Sequence, residues 1–198
     1  MISRPDFDRM YAANPDPFRV ADSWYERRKI AVVLAALADS RYRHAWDTAC
    51  GTGHLVQALA NRCDDVLASD ASIEACRIAS ERLGRLSNVR VAAHALPAAP
   101  DAADGFDLVL LAEVLYYLPP TELDVIAPMV DAVAATDRTA EVMVVNWRHF
   151  PDDAYLSGAD AVTKLDGPLR DLGWQSWVRH EEQEFVLCSW RRPIGATR

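Results

Sequence analysis

Two hydrophobic periods alternate along the chain. Short, nearly continuous apolar runs stand at Val66-Leu67-Ala68-Ser69, Val89-Arg90-Val91-Ala92-Ala93, Phe106-Asp107-Leu108-Val109-Leu110-Leu111-Ala112 and Ala140-Glu141-Val142-Met143-Val144-Val145. Each reads as a strand, and the run Phe106 to Ala112 has the pattern of a central parallel strand buried on both faces. Between them the apolar positions take helical spacing: Ile30, Val33, Leu34 and Leu37 share one face, Glu74 to Leu86 is amphipathic, Pro120 opens a helix that runs to about Ala135, and Ala159 to Leu172 forms the last. Ser23 is placed to cap the helix of Ile30, with Glu26 three residues on as its capping-box partner. A shorter helix from Phe7 ends at Asn14-Pro15-Asp16-Pro17, where two prolines forbid continuation. Two further strands, Gln175 to Arg179 and Glu184 to Trp190, close the chain. Alternating strands and helices predict an α/β fold with a doubly wound sheet.

The sharpest stretch is Ala45 to Asp70, which reads as strand, glycine-bearing turn, helix and strand. In the turn Asp47-Thr48-Ala49-Cys50-Gly51-Thr52-Gly53 the glycines let backbone approach a ligand closely, and the free N–H groups of the helix start point at it. Asp70 follows Asp47 by 23 positions, close to the spacing at which a βαβ unit sets a carboxylate beside a ribose. A dinucleotide fingerprint would carry a third glycine and no acid ahead of the turn. Asp47 stands there instead, and suits a cationic adenosyl ligand.

The string D-x-A-C-G-T-G-H-L resembles the first motif of class I S-adenosylmethionine-dependent methyltransferases, with Ala49 where the family has its first glycine. The resemblance implies S-adenosyl-L-methionine as cofactor and a Rossmann-like sheet of seven strands, the last antiparallel. It implies cofactor contacts from Asp47, Ala49, Gly51, Gly53, Asp70 and Ala71. The stretch His94-Ala95-Leu96-Pro97 matches the family's adenine-edge turn, so Ala95 and Leu96 keep a backbone role while His94 replaces the usual aspartate. A narrower resemblance is to the NodS-type N-methyltransferases. It rests on Tyr11-x-x-Asn14-Pro15-Asp16-Pro17-Phe18 with Ser23-Trp24-Tyr25-Glu26-Arg27-Arg28-Lys29, and on Phe106 to Leu118, which is similar to the family's fourth motif. It implies that the N-terminal segment folds over the cofactor, with Trp24 and Arg28 at its methionine end and Tyr11 in the lid. It also places Glu113, Tyr116 and Tyr117 at the mouth, Glu113 towards cofactor charge or acceptor, and sets Trp147, Arg148 and His149 on the acceptor side.

Bulk properties narrow the setting. With 198 residues, 22.0 kDa and 51% hydrophobic content, the chain is expected to form a single domain, 1–198, with a helical lid segment at 1–40 and the core at 41–198. A net charge of -8 and a pI near 5.1 argue against nucleic acid as partner, because that affinity depends on lysine and arginine neutralising phosphates. No apolar run approaches the length of a spanning helix, and Met1 to Asp6 lacks a signal peptide's apolar core, so no membrane partner and a cytoplasmic location are expected. Cys50, Cys63, Cys76 and Cys188 form no C-x-x-C pair, and His180-Glu181-Glu182-Gln183-Glu184 is not H-E-x-x-H, so free thiols and no metal are expected. Pro97 to Asp104 and Phe150 to Gly158 read as loops, the second a candidate substrate wall.

Methyl transfer from a sulfonium is an in-line displacement with an uncharged leaving group, so alignment and desolvation outweigh acid catalysis. The acceptor must present a lone pair. No strong dedicated base is visible, which favours an amine on a sugar or small metabolite, with Glu113 or His149 taking the proton and Tyr116 or Tyr117 orienting the nitrogen. O-methylation of a sugar or metabolite hydroxyl is the alternative. An NAD-dependent oxidoreductase and a non-catalytic cofactor-binding module are the alternatives of other classes. The expected partner is a small molecule or an oligosaccharide, and monomer and homodimer stay open.

Overall fold

The computed structural model describes residues 3–101 and 105–194. Residues 1–2 of the N-terminal stretch and residues 102–104 of the expected Pro97–Asp104 loop lie outside the described residues. Seven strands form: β1 (Tyr42–Asp47), β2 (Cys63–Asp70), β3 (Val89–Ala93), β4 (Leu108–Ala112), β5 (Ala140–Trp147), β6 (Gln175–Glu181) and β7 (Phe185–Arg192). The sheet order is β3-β2-β1-β4-β5-β7-β6. The pairs β1–β2, β2–β3 and β4–β5 are parallel, whereas β7 runs antiparallel to both β5 and β6. The last strand is thus the reversed one, as the Rossmann-like class I arrangement requires.

The chain divides into two compact units, Ile2–Ala95 and Leu96–Arg198. The first holds β1 to β3 with α1 (Arg4–Ala13), α2 (Trp24–Ala36), α3 (His54–Leu59) and α4 (Ile73–Leu83). Inside it the Trp46 indole donates to Ser69 Oγ at 2.8 Å, joining β1 to β2 in a dry interior. Helix α1 packs on α4 through Phe7 and Tyr11 against Ala75 and Ile78. It ends where Asn14 turns extended, and the Asp16 carboxylate then gathers the N–H groups of Val20 and Ala21 at 2.8 and 3.0 Å. On α2, Ser23 accepts the Glu26 N–H at 3.4 Å. The Glu26 carboxylate pairs at 2.9 Å with Lys29, whose buried ammonium also lies 4.9 Å from the centre of the Tyr25 ring. Helix α4 stops at Leu83 with Gly84 as its C-cap, three residues short of the expected end.

The second unit holds β4 to β7 with a 3-10 turn at Leu115–Tyr117 and helices α5 (Pro120–Leu123), α6 (Ile126–Val133) and α7 (Gly158–Asp171). Two expectations need correction here. The apolar run from Phe106 forms strand only from Leu108, while Phe106 makes an isolated parallel bridge to Ala134. The single helix expected from Pro120 to about Ala135 is two, because Pro128 has no N–H to donate to Asp124 and its ring would strike that carbonyl. The chain breaks at Asp124-Val125 and restarts with Pro128 in the first turn of α6, where a missing donor does no harm. The end of α6 is fastened to β7 by Arg192, whose buried guanidinium donates to the Asp131 carboxylate and to the carbonyls of Ala134 and Ala135 at 3.2 and 3.3 Å. Trp174 donates to the same Asp131 oxygen at 3.0 Å.

Candidate active site

The glycine turn of the first unit is held from both sides. The Cys50 N–H donates to the Ser69 carbonyl at 2.8 Å and the Gly53 N–H to the Cys50 carbonyl at 2.8 Å, which bends β1 directly into α3. Gly51 and Gly53 take φ of +51° and +84°, a left-handed backbone that costs about 1 kcal/mol or more for a residue with a Cβ. The Gly51 N–H donates to Asp70 Oδ2 at 2.9 Å, while Asp70 Oδ1 accepts the Ser72 N–H at 2.9 Å. Arg82 closes the far side by donating to the Thr52 carbonyl at 2.8 Å.

Two acids flank this turn, Asp47 buried and Asp70 half-buried. Asp47 is 1% exposed; its Oδ1 accepts the Ala49 N–H at 3.4 Å, and its Oδ2 has no hydrogen-bond partner. Burial pushes its carboxyl up to about 7, against a weaker opposing pull from the Ala49 N–H. Burial also raises Asp70, with the N–H groups of Ser72 and Gly51 opposing the rise. The Cys50 thiol goes up for the same reason, with Asp47 and Asp70 adding to the effect. A buried carboxylate oxygen without a donor is costly unless a cation completes it. A sulfonium-bearing amino acid conjugated to adenosine offers that charge, hydroxyls for Asp70, and an edge for the turn N–H groups, so the residues present fit S-adenosylmethionine.

The remaining expected residues of this unit fall in different settings. Tyr11 is 7% exposed and its hydroxyl lies 3.2 Å from where a Cβ on Gly51 would stand. Trp24 is 71% exposed and Arg28 lies on the same exposed side of α2. Ala71 and Ala95 are half-buried beside the ends of β2 and β3. His94 donates its N–H to the Asp70 carbonyl at 2.9 Å and its ring meets Trp46 edge-on at 6.0 Å. Asp8 escaped the sequence reading: it accepts the Ser72 hydroxyl at 2.7 Å across 64 positions, and so long a separation leaves no local signal.

A second cluster lies within the other unit, at the ends of β4 and β5; Leu96, half-buried, is the first residue of that unit's main segment. Glu113 follows β4 with φ of +54°, a strained setting for a long side chain. That backbone aims its carboxylate sideways, so that Oε2 accepts the Tyr116 hydroxyl at 2.6 Å and the Trp147 N–H at 2.7 Å. Tyr117 stacks edge-on against Tyr116 at 4.6 Å. Burial raises the Tyr117 phenol, with the charges of Asp153 and Glu113 adding to the rise, so it stays protonated.

The end of β5 is clasped by the tip of the β6–β7 hairpin. The Trp147 indole donates to Glu184 Oε2 at 3.2 Å, the Arg148 N–H to the Glu184 carbonyl at 2.9 Å and the Arg148 guanidinium to the Glu182 carbonyl at 2.9 Å. His149 Nε2 lies 3.1 Å from the Gln183 carbonyl and its ring 4.9 Å from that of Trp147. A carbonyl can only accept, so Nε2 donates in that contact, and Nδ1 is the acceptor of the neutral ring. The charged hairpin tip is therefore a structural partner of the Trp147-Arg148-His149 stretch, which its sequence does not reveal. Among the described residues no three His, Cys, Asp or Glu side chains are grouped to hold a metal ion, and no helix is long and apolar enough to cross a membrane.

Comparisons with known proteins fit this geometry. The methyltransferase-domain family profile matches residues 45–137, the span from β1 through the glycine turn and Glu113 to the loop before β5. No curated protein sequence matches the chain. A Pseudomonas syringae crystal structure assigned to the methyltransferases is 31% identical, with a TM-score of 0.72, and the match covers 86% of this chain and 100% of that one. The N-methyltransferase NodS from Bradyrhizobium japonicum WM9, in complex with S-adenosyl-L-homocysteine, is 22% identical with a TM-score of 0.80, covering 96% of this chain and 98% of that one. The DhpI–SAH complex is 22% identical with a TM-score of 0.73, covering 97% and 96%. At 31% identity over 86% of this chain the first of these relatives shows the family, and the chain belongs to the S-adenosylmethionine-dependent methyltransferases.

Proposed function

We propose that the protein is a NodS-like enzyme that methylates an amino group on a sugar or small metabolite in the cytoplasm, with residues 1–198 serving as one catalytic domain. The observation that carries this reading is the Glu113 carboxylate, held at a strained backbone by Tyr116 and the Trp147 N–H. A carboxylate fixed among aromatic rings recognises an ammonium or a cationic transition state better than a neutral hydroxyl. NodS is an N-methyltransferase, which supports nitrogen as the acceptor. Four buried thiols suit a reducing compartment.

In this reading Asp47, Ala49, Gly51, Gly53, Asp70, Ala71, Ala95 and Leu96 hold the cofactor, and Trp24 and Arg28 meet its methionine end. The bound cofactor would supply an electrophilic methyl group to the acceptor's lone pair, with a neutral thioether as the leaving group. Asp47 balances positive charge, Asp70 binds ribose hydroxyls, and Glu113 orients the amine and takes its proton. Tyr116 holds Glu113, while Tyr117, Tyr11, Trp147 and Arg148 wall the acceptor. His149 has Nδ1 as its accepting atom, which makes it the second candidate base.

The test begins with calorimetric titration of S-adenosylmethionine, S-adenosylhomocysteine and NADH in parallel. Glucosamine oligomers are then incubated beside their fully N-acetylated counterparts and followed by mass spectrometry. Binding of the two adenosyl ligands alone, with a one-methyl mass gain only on free amines, is expected. Methylation of the acetylated sugars would reassign the enzyme to oxygen.

A further inference from the structure

Hydrogen bonds run in series from the N-terminal helix to the glycine turn, all within the first unit. Asp8 Oδ1 accepts the Ser72 hydroxyl at 2.7 Å and the Glu74 N–H at 3.3 Å. Ser72 passes the constraint on through its N–H, which donates to Asp70 Oδ1 at 2.9 Å. Asp70 Oδ2 in turn accepts from Gly51 at 2.9 Å. Ser72 is fully buried at 0% exposure and already caps α4 by accepting the Ala75 N–H at 3.1 Å. A cap needs only the acceptor side of that hydroxyl. Its proton is committed to Asp8, so the rotor is fixed and the turn between β2 and α4 has one orientation.

Placing a second carboxylate here has a cost that a mere tether would avoid. The Asp8 charge stands close enough to Asp70 to oppose its ionisation. One helical turn further along α1, Tyr11 lies over Gly51, so the face of α1 that carries Asp8 and Tyr11 meets both the turn after β2 and the glycine turn.

We infer that Asp8 is a positioning residue of the cofactor site, acting through Ser72 to set the Asp70 carboxylate for the ribose without touching the cofactor. This rests on the assignment of Asp70 as the ribose acid. If α1 were only fastened by Asp8, loss of Asp8 would weaken the fold and any ligand alike, whatever stands at position 70.

The experiment measures S-adenosylhomocysteine affinity by calorimetry in the full chain for wild type, Asp8→Ala, Asp70→Ala and the double variant, with a melting curve for each. Asp8→Ala is expected to bind about tenfold more weakly, and in the Asp70→Ala background its removal adds no further loss. An equal loss in both backgrounds, or none in the first, overturns the inference while leaving Asp70 as the ribose acid. Asp8→Asn is the folded control: it keeps both acceptor contacts, so its affinity at neutral pH stays near wild type. Because it removes the Asp8 charge that faces Asp70, while the other titratable neighbours Asp47 and Cys50 are raised and so uncharged in acid, the acid limb of its binding curve shifts to lower pH. An unshifted limb overturns the inference as well. Failure of the wild type to bind S-adenosylhomocysteine would overturn the underlying assignment of Asp70, and the inference with it.

Discussion

Gly158 lies so close to Trp147 that a Cβ on the glycine would stand 1.9 Å from the Trp147 carbonyl oxygen. The first residue of α7 is pressed onto the last residue of β5, and the contact is completed by Gly158 N–H donating to the His149 carbonyl at 3.0 Å and Asn146 Nδ2 donating to the Gly158 carbonyl at 3.3 Å. A methyl group there forces backbone to move, since the atom it strikes hardest, the Trp147 carbonyl oxygen, belongs to the main chain. Gly158→Ala is expected to cost about 3 kcal/mol, read as a lower denaturant midpoint. It also displaces Trp147, Arg148 and His149, so acceptor KM should rise while S-adenosylhomocysteine affinity stays unchanged. An unaltered midpoint would mean that α7 can slide on the strand end.

At the other unit's glycine turn the neighbours are softer. A Cβ on Gly51 would lie 3.2 Å from the Tyr11 hydroxyl, in a residue at φ +51°. Gly51→Ala should therefore weaken S-adenosylhomocysteine binding by about tenfold through strain and a displaced N–H donor. Tyr11→Phe in that background removes the crowding oxygen and should recover part of the affinity. Calorimetry on the pair checks both steps, and strictly additive losses would show that Tyr11 does not press on the turn.

The same contrast explains what could be read before any coordinates. Asp47, Gly51, Gly53 and Asp70 meet at one turn, where a strand end, a turn and a helix start lie adjacent in the chain, so the geometry of that turn was legible in the spacing. The uninterrupted apolar run Leu108 to Leu111 likewise announced a strand buried on both faces. Pro128 was visible too, but the apolar period across it suggested one helix where backbone chemistry allowed only two. Asp8 and the hairpin tip were silent for another reason. Their partners, Ser72 and Trp147, stand 64 and 37 positions from Asp8 and Glu184, and a hydrogen bond at that separation leaves no periodicity behind. The positive φ of Glu113 was equally hidden, since glutamate is not a residue that favours that conformation.

Asp47 makes the protein's stability depend on pH in an unusual direction. Its carboxyl is raised from 3.8 to about 7 by burial, so between about pH 4 and 7 the folded state holds a proton that the unfolded chain has released. Stability from this group is fully present below the unfolded value and is lost as pH rises through the folded one. The melting temperature of the ligand-free protein should fall across that window more steeply than that of Asp47→Asn, which cannot titrate. A cationic ligand favours the carboxylate, so S-adenosylmethionine should bind with proton release in the same window, measurable as a dependence of calorimetric heat on buffer ionisation. Identical profiles for wild type and variant would remove Asp47 from the ligand's charge balance.

Glu113 separates charge from shape. A glutamine at this position keeps an oxygen that accepts from both the Tyr116 hydroxyl and the Trp147 N–H, which now bind Oε2 at 2.6 and 2.7 Å, so the surrounding wall should stand. What the substitution removes is the negative charge and the capacity to take a proton. Glu113→Gln is expected to lower turnover by roughly a hundredfold while S-adenosylhomocysteine affinity stays within about twofold. A strained φ at this residue has a function to support only if the carboxylate itself matters. Full turnover in the variant would reduce Glu113 to a brace for Tyr116 and leave His149 Nδ1 to accept the proton. A large loss of donor affinity with turnover preserved at saturation would instead move Glu113 from the acceptor to the cofactor.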